Sequence, residues 1–326
     1  MATGGIDADA LARVVGVALG DGAVRIEGLE RLSGGASRET WSFTAFPGAG
    51  GNGRRLILRR DPPGAPGKGM ALEGRLLLAA GRGGVPVPAL LAASDEPEPL
   101  GSAFLLMQFV EGETIPRRIL REEAFRAVRP RLAGQCGAIL ASLHRVDPDS
   151  VPGLEAEDPL SSFRELLDDL GMAHPAFELA FRWLEERRPE SGAAAIVHGD
   201  FRHGNLMIGP DGVRAVLDWE LAHRGDPMED LGWLCVKAWR FGVDRPVGGF
   251  GTYQQLIEGY QRAGGRSVEP ETLRWWEVLG TLRWGIMCIL QASLHTSAAV
   301  RSVELAAIGR RVCENEWDLL ELMGWA

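Results

Sequence analysis

Two short segments of the chain contain polar residues whose types and spacing suit phosphoryl transfer. In the first, H-G-D-x-x-x-x-N, Asn205 follows Asp200 by five residues. In the second, a predicted strand ends in L-D-W-E, which contains Asp218. Phosphoryl transfer gathers negative charge on phosphate oxygens, so the protein contributes mainly positioning and charge neutralisation. We interpret Asp200 as the group that orients and deprotonates an acceptor hydroxyl, and Asn205 and Asp218 as ligands of Mg²⁺. Taken singly, each would more often be a turn or capping residue, so the prediction depends on the combination.

The two segments are related to the H-R-D-x-x-x-x-N and D-F-G motifs of protein kinases, but they do not match them. Gly199 stands in place of the arginine, and Trp219 and Glu220 follow Asp218. In these departures the chain resembles the aminoglycoside phosphotransferase and choline kinase superfamily, whose members phosphorylate small molecules. H-G-D-F-R at 198–202 and L-D-W-E-L-A at 217–222 are most similar to the kinase-like domains joined to acyl-CoA dehydrogenases. The resemblance implies ATP and Mg²⁺ as cofactors.

The hydrophobic pattern along the chain predicts an α+β fold, with strands first and helices afterwards. A helix over 7–19 precedes three strands, a helix over 70–80 and two more strands, the strands lying near 27–32, 40–46, 55–59, 89–93 and 103–109. The later sequence is helical except around 196–218. This order resembles a protein-kinase-like two-lobe fold. It predicts an N-lobe over 1–110 that covers the nucleotide, and a C-lobe over 111–326 that holds the catalytic loop and the acceptor site.

A glycine-rich turn between the first two predicted strands lies where kinase-like folds cover the nucleotide phosphates. Glycine lets backbone N–H groups approach phosphate closely, although an ordinary hairpin would use the same residues. The candidate contacts that the resemblance implies are Ser33, Gly34, Gly35 and Ser37.

Four further nucleotide contacts are implied by the resemblance. Arg59 stands where the family usually has a phosphate-pairing lysine, and it offers a planar fork in place of a point charge. Glu73, on the following helix, is its expected partner. Gln108 and Val110 lie in a segment that resembles the hinge, where the carbonyl of the first and the N–H of the second would meet adenine. A surface arginine, a solvated glutamate and an edge strand are the alternatives.

Two residues of the C-terminal part receive roles from the same resemblance. Arg202 lies two residues after Asp200, where protein kinases carry a basic residue that faces the γ-phosphate. We list it with Asp200 as a catalytic candidate, against the alternative of a surface arginine. Asp230 resembles the buried aspartate that holds the backbone of the catalytic loop in kinase-like folds.

Composition limits the partners and the compartment. The 326 residues are 45% hydrophobic, enough for a large core, and the net charge of −9 argues against nucleic acid as a partner. Four widely spaced cysteines without a C-x-x-C motif fit reduced thiols in a cytoplasmic protein. We expect no signal peptide and no membrane span, because the apolar stretch near 286–290 is too short. The oligomeric state is left open.

Aromatic residues cluster in the later helices and bear on the acceptor. Core packing is the simpler explanation, and an apolar acceptor pocket is the alternative; the tryptophans concerned are Trp233, Trp239, Trp275, Trp276 and Trp284. Acidic residues over 240–300 are scattered, which disfavours a polycationic acceptor. We therefore expect a small-molecule hydroxyl, with a hydroxyacyl or lipid-like compound as the first choice. An aminoglycoside or choline-type kinase, or a nucleotide-binding pseudokinase, are the alternatives, and Arg59 in place of lysine keeps the last one open.

Overall fold

The computed structural model describes residues 5–32, 38–48, 50–62, 69–190 and 192–325. It has an antiparallel sheet near the N-terminus, followed by a mainly helical part that contains two small strand pairs. None of the described helices combines the length and the apolar composition needed to cross a membrane.

The N-terminal sheet has five antiparallel strands in the order β1-β2-β3-β5-β4. Its strands are β1 (Arg25–Arg31), β2 (Glu39–Phe46), β3 (Arg54–Arg60), β4 (Leu90–Ser94) and β5 (Phe104–Gln108). Side chains alternate between the two faces of a strand, and β5 is buried on both. Leu106 packs with helix α1 (Ala8–Leu19), whereas Leu105 and Met107 belong to the core that includes helix α2 (Met70–Arg82). The sheet therefore lies between α1 and α2.

The C-terminal part is built around one long helix, α9 (Pro270–Thr296), which contacts α7, α10, α11, α5 and α6. A second pair, α4 and α8, packs closely because Gly137 would place a Cβ only 2.3 Å from the backbone oxygen of Leu256. The other helices are α3 (Pro116–Arg121), α4 (Arg129–His144), α5 (Pro159–Leu170), α6 (Pro175–Glu186), α7 (Met228–Cys235), α8 (Tyr253–Arg262), α10 (Val303–Gly309) and α11 (Val312–Met323).

Two short strand pairs position the H-G-D-x-x-x-x-N and L-D-W-E motifs. β6 (Ala195–Val197) pairs with β9 (His223–Gly225), and β7 (Leu206–Gly209) pairs with β8 (Gly212–Val216). The H-G-D-x-x-x-x-N segment lies between β6 and β7, and Asp218 comes two residues after β8. β6 is fully buried and β7 and β8 are mostly buried, so both motifs begin at fixed strands.

The predicted α+β fold and the β-β-β-α-β-β order are confirmed, with strand ends that differ by one or two residues. The side chain of Asp7 caps α1 by accepting from the N–H of Asp9, as expected of an N-cap residue. The non-helical stretch predicted for 196–218 extends to Gly225, because β9 pairs back onto β6. The division into lobes at residue 110 stays a prediction.

Candidate active site

Asp230 holds the backbone of the loop that carries Asp200. The buried carboxylate of Asp230 accepts from the backbone N–H of His198 at 2.8 Å and of Gly199 at 3.0 Å. His144, at the end of α4, contacts Asp230 at 3.1 Å. Burial by itself raises the pKa of Asp230, but the hydrogen bond and charge of His144 outweigh it and hold the pKa below its usual value. These contacts match the role predicted for Asp230.

The Asp200 carboxylate accepts hydrogen bonds from three different side chains. Asn205 donates its Nδ2 to Oδ2 at 2.5 Å, and Arg202 donates its Nε to Oδ1 at 3.0 Å and to Oδ2 at 3.2 Å. Trp233, from α7, donates its indole Nε1 to Oδ1 at 2.9 Å. From the sequence, Asn205 was expected at the metal and Arg202 at the γ-phosphate, and none of the three hydrogen bonds to the Asp200 side chain was predicted.

Asp218 is placed by a sharp turn after β8. Its φ of 65° lies in the left-handed region, which aspartate tolerates better than most side chains. His198 contacts the preceding carbonyl, of Leu217, at 3.0 Å and so ties this turn to the catalytic loop. Asp218 Oδ1 accepts from Arg59 Nη2 at 2.8 Å. The structure therefore brings the strand-end aspartate and the predicted phosphate-pairing arginine into direct contact.

Arg59 also pairs with Glu73, as predicted, through its Nη1 and the Oε1 of the glutamate. Burial tends to lower the pKa of Arg59, but the charges of Glu73 and Asp218 raise it above its ordinary value. Arg38 is a second cation on Glu73, which it contacts at 2.6 Å, and it also contacts Glu220 at 3.5 Å. The sequence analysis missed Arg38; its position directly after the glycine-rich turn was the available signal.

Arg38 and Arg59 contact four carboxylates of the described residues. Arg38 contacts Asp61 at 3.2 Å in addition to Glu73 and Glu220, and Arg59 contacts Glu73 and Asp218. The two residues predicted to hold a metal, Asp218 and Asn205, line one cavity. Among the described residues no group of three or more His, Cys, Asp or Glu could hold a metal ion alone. Mg²⁺ accepts one or two protein oxygens and completes its shell with water and phosphate, so the donor set fits it.

A cavity of about 430 Å³ collects all the described residues that were predicted to bind nucleotide or metal. Its polar end contains Arg59, Glu73, Asn205 and Asp218, and its other end contains Gln108 and Val110. The N–H of Val110 has no backbone acceptor among the described residues. The apolar lining includes Ile57, Leu77, Met107, Met207 and Val216. Ser33, Gly34, Gly35 and Ser37 lie outside the described residues.

A second cavity, of about 800 Å³, adjoins the first where Asp200 meets Asn205. Asp200 and Arg202 line it, together with an aromatic wall in which Trp233, Trp239 and Trp284 stand next to one another, with ring centroids 5.2 and 4.8 Å apart. Trp275 and Trp276 were grouped with them in the sequence analysis, but they do not line this cavity. Trp275 is buried and donates to the Leu184 carbonyl at 2.9 Å, so it is part of the core.

The acidic residues of the second cavity lie outside 240–300, the segment in which acidic acceptor residues were expected. Glu155, Glu157, Glu220 and Glu229 line the cavity. Two of these form ion pairs. Glu220 contacts Arg38 at 3.5 Å. Glu229 contacts both Arg283 and His223 at 3.1 Å. Burial tends to lower the pKa of His223, but the hydrogen bond and charge of Glu229 outweigh it and raise it to about 9.

The architecture is that of the protein-kinase-like phosphotransferases. The sequence model described as "Phosphotransferase enzyme family" (APH) matches residues 28–276, and the chain belongs to this family.

Two solved structures and one curated relative illustrate the similarity. A Ralstonia eutropha protein assigned to the aminoglycoside phosphotransferases shares 21% identity, covers 98% of each chain and superposes with a TM-score of 0.76. Aminoglycoside phosphotransferase APH(4)-Ia, in a complex with AMP-PNP and hygromycin B, shares 15% identity over 97% of this chain and 98% of its own, with a TM-score of 0.63.

The curated relative is acyl-CoA dehydrogenase family member 10 of Mus musculus, 29% identical over 207 residues. The match covers 56% of this chain and 18% of the relative, so the chain corresponds to about a fifth of that protein.

Proposed function

We propose that the chain transfers the γ-phosphoryl group of ATP, in the presence of Mg²⁺, to a hydroxyl of a small molecule with an apolar body, such as a hydroxyacyl compound. One observation carries the proposal. The two cavities meet at the 2.5 Å contact between Asp200 and Asn205, so that a nucleotide in one and an acceptor in the other lie on either side of the same carboxylate.

The smaller cavity has the polarity that an adenine nucleotide requires. Adenine is flat and apolar with polar edges, which suits Met107 and Met207 beside the backbone of Gln108 and Val110. The phosphates would lie at the opposite end, where Arg59 supplies a bidentate fork. The AMP-PNP complex of the similar aminoglycoside phosphotransferase supports ATP as the nucleotide.

Asn205 and Asp218 would hold Mg²⁺, which neutralises charge on the phosphates when bound. Arg59 and Arg38 both pair with Glu73. Because Arg38 also neutralises this carboxylate, more of the positive charge of Arg59 is available to a phosphate than if Arg59 were its only partner.

Asp200 would orient the acceptor hydroxyl and take its proton as the oxygen attacks phosphorus. The positioning follows from its three donors, which leave the carboxylate little freedom to rotate. Arg202 uses only its Nε on Asp200, and its two terminal nitrogens form no hydrogen bond with a described residue. These nitrogens are available to charge that develops on the transferred phosphoryl group, which agrees with the role suggested by the sequence.

The aromatic wall favours an apolar acceptor, and the acyl-CoA dehydrogenase name of the relative points to the same class. A polycation is the second candidate, because Glu155 and Glu157 line the cavity without an ion pair among the described residues. Arg202 and Arg283 in the same wall oppose it. A pseudokinase is disfavoured because Asp200, Asn205 and Asp218 are all present and assembled.

ATP turnover against hydroxyacyl compounds, an aminoglycoside and choline tests the proposal. We expect the wild-type chain to phosphorylate a hydroxyacyl compound. Asp200→Asn should lower turnover by about 10²–10⁴-fold, the usual effect of losing a positioned acid or base, with little change in nucleotide affinity. Nucleotide binding without turnover of any acceptor would favour the pseudokinase, and near wild-type turnover in Asp200→Asn would remove Asp200 from catalysis.

A further inference from the structure

A basic groove lies outside both cavities, between α2 and the turn that follows α4. It encloses about 470 Å³. Arg75 and Arg82 of α2 and Arg145 at the end of α4 line it, together with small apolar residues and the hydroxyls of Ser142 and Ser150. Among the described residues, no aspartate or glutamate lines this groove.

The absence of acid is unusual in a chain with 44 acidic and 35 basic residues. Many other arginines of the described ranges pair with carboxylates, but none of these three does. Arg75 donates its Nε to the carbonyl of Pro152 at 3.1 Å, and Arg145 donates to the carbonyl of Ala263 and to the hydroxyl of Ser142. The side chain of Arg82 makes no hydrogen bond or ion pair with a described residue. Since a guanidinium has five N–H donors, most of the donors in the groove are open.

The spacing on α2 accounts for the groove. Arg75 and Arg82 are seven residues apart, two helical turns, and so lie on one face. Leu78 lies between them and is 44% exposed, which leaves an apolar strip on the same side. Gly83 allows the end of α2 to approach Val146, since a Cβ there would come within 2.4 Å of that side chain. Because of this close approach, arginines of α2 and Arg145 line the same groove.

Clustered guanidinium groups without carboxylates suit a small anion that accepts several hydrogen bonds, and phosphoryl oxygens do this best. We propose that the groove binds a small phosphoryl anion, of the inorganic phosphate or pyrophosphate class. The site is separate from the nucleotide cavity, whose lining shares no residue with it.

The groove is connected to both cavities through α2. Arg75 lies two residues after Glu73, the partner of Arg59. On its other side, Arg75 holds the carbonyl of Pro152, and the next residue, Gly153, lines the acceptor cavity. An anion bound here would fix α2 against the 142–152 segment and so steady Glu73. This regulatory effect rests on the proposed function, whereas the binding itself does not.

Hydrogen exchange with mass spectrometry, during titration with pyrophosphate or inorganic phosphate, tests the site. Saturating AMP-PNP and Mg²⁺ keep the nucleotide cavity filled. We expect slower exchange in 75–83 and 142–152 of the wild type. In the Arg75→Gln/Arg82→Gln double variant the anion should bind at least about tenfold more weakly, because each lost charge-assisted hydrogen bond is worth roughly that factor.

Arg13→Gln is the matched control, since Arg13 is an exposed arginine of α1 away from the groove. Its anion affinity should equal that of the wild type, and equal melting temperatures confirm that all variants fold. Anion affinity unchanged in the double variant, or no protection of either segment by either anion, would overturn the proposal. Groove binding in a chain that transfers no phosphate would overturn the proposed function and leave this site standing.

Discussion

The two oxygens of the Asp200 carboxylate are shared among an amide, a guanidinium and an indole, which fixes its plane more firmly than any one donor would. A base that must meet a hydroxyl in a narrow geometry gains rate from such restraint, because small misplacements are costly in transfer reactions. Arg202 is itself restrained, since it lies over the ring of Trp239 at 4.7 Å. The aromatic wall of the larger cavity therefore also restrains the side chain that contacts the proposed base, Asp200.

The Trp233→Phe variant distinguishes the hydrogen bond from the indole to Asp200 from the packing of the aromatic ring. Phenylalanine keeps an aromatic ring beneath Arg283 but removes the N–H that Asp200 accepts. We expect kcat to fall by about tenfold, since a hydrogen bond to a charged group is worth about 1.5 kcal/mol or more. The KM for ATP should stay unchanged. Steady-state kinetics at saturating acceptor measures both.

Trp276→Phe is the control for that substitution, because the buried N–H of Trp276 has no hydrogen-bond partner among the described residues. It makes a similar change in volume at a site away from Asp200. Equal kcat values for the two variants would assign the loss to packing and would contradict a role for the indole N–H.

At the residue scale, the sequence indicated what local spacing can encode. Asp200 and Asn205 belong to one loop, and Asp218 ends a strand nearby. The contacts of Trp233 with Asp200 and of Arg38 with Glu73 were not predicted, because they join residues 33 and 35 positions apart in different elements. No local pattern distinguishes an indole that faces a carboxylate from one in the core.

Elements were easier to predict where the apolar period was regular. Short apolar runs bounded by turn residues gave the strands of the N-terminal sheet, and the helix spacing of α2 placed Glu73 beside it. The sequence of helix α9 predicted less about which residues face the cavity, because the helix is buried around most of its surface and so lacks a single apolar face. That is why Trp284 could not be separated from Trp275 and Trp276 before the fold was known.

The turn after β8 makes a prediction for the metal. Asp218→Asn removes the carboxylate charge but keeps a side chain that tolerates the positive φ of this position. If Asp218 and Asn205 hold Mg²⁺, the tightening of ATP binding by Mg²⁺ should be lost in the variant. Calorimetric titration of ATP with and without Mg²⁺ measures the effect. A variant that retains the full tightening would exclude Asp218 from the metal site.

His223, in strand β9, should make the stability of the folded chain depend on pH. Its pKa is about 9 in the folded chain, above its ordinary value of 6.5, because Glu229 favours the protonated ring. A raised pKa means that the folded state holds the proton more tightly, so the added stability is complete below pH 6.5 and is lost as the pH rises to 9. The shift corresponds to on the order of 3 kcal/mol.

Urea unfolding from pH 6 to pH 9.5 measures the free energy of unfolding for the wild type and for His223→Gln. The wild type should lose its advantage over the variant across that interval, and Glu229 keeps Arg283 as a partner in both. A constant difference between the two proteins would show that His223 is not charged at neutral pH.

At the scale of the whole molecule, the acidic chain presents a cavity wall of mixed charge to the acceptor. Glu220 and Glu229 are paired, whereas Glu155 and Glu157 form no ion pair within the described part of the chain, and Arg202 and Arg283 line the same cavity. A polycation needs several convergent carboxylates, because an ammonium group that loses water without a partner is costly. An apolar acyl chain needs only an apolar surface to pack against, and Trp233, Trp239 and Trp284 provide one.

Catalytic efficiency should therefore rise with chain length across a series of hydroxyacyl acceptors. Each buried CH₂ contributes about 0.8 kcal/mol, which corresponds to a gain of up to about fourfold in kcat/KM until the cavity is full. Trp284→Ala should flatten the series, because it removes part of the wall. Trp317→Ala, at an exposed position of α11, should leave it unchanged. A series that is flat or falling in the wild type, or efficient turnover of a polycationic aminoglycoside, would replace the acyl acceptor by the polycation while leaving the phosphotransferase assignment intact.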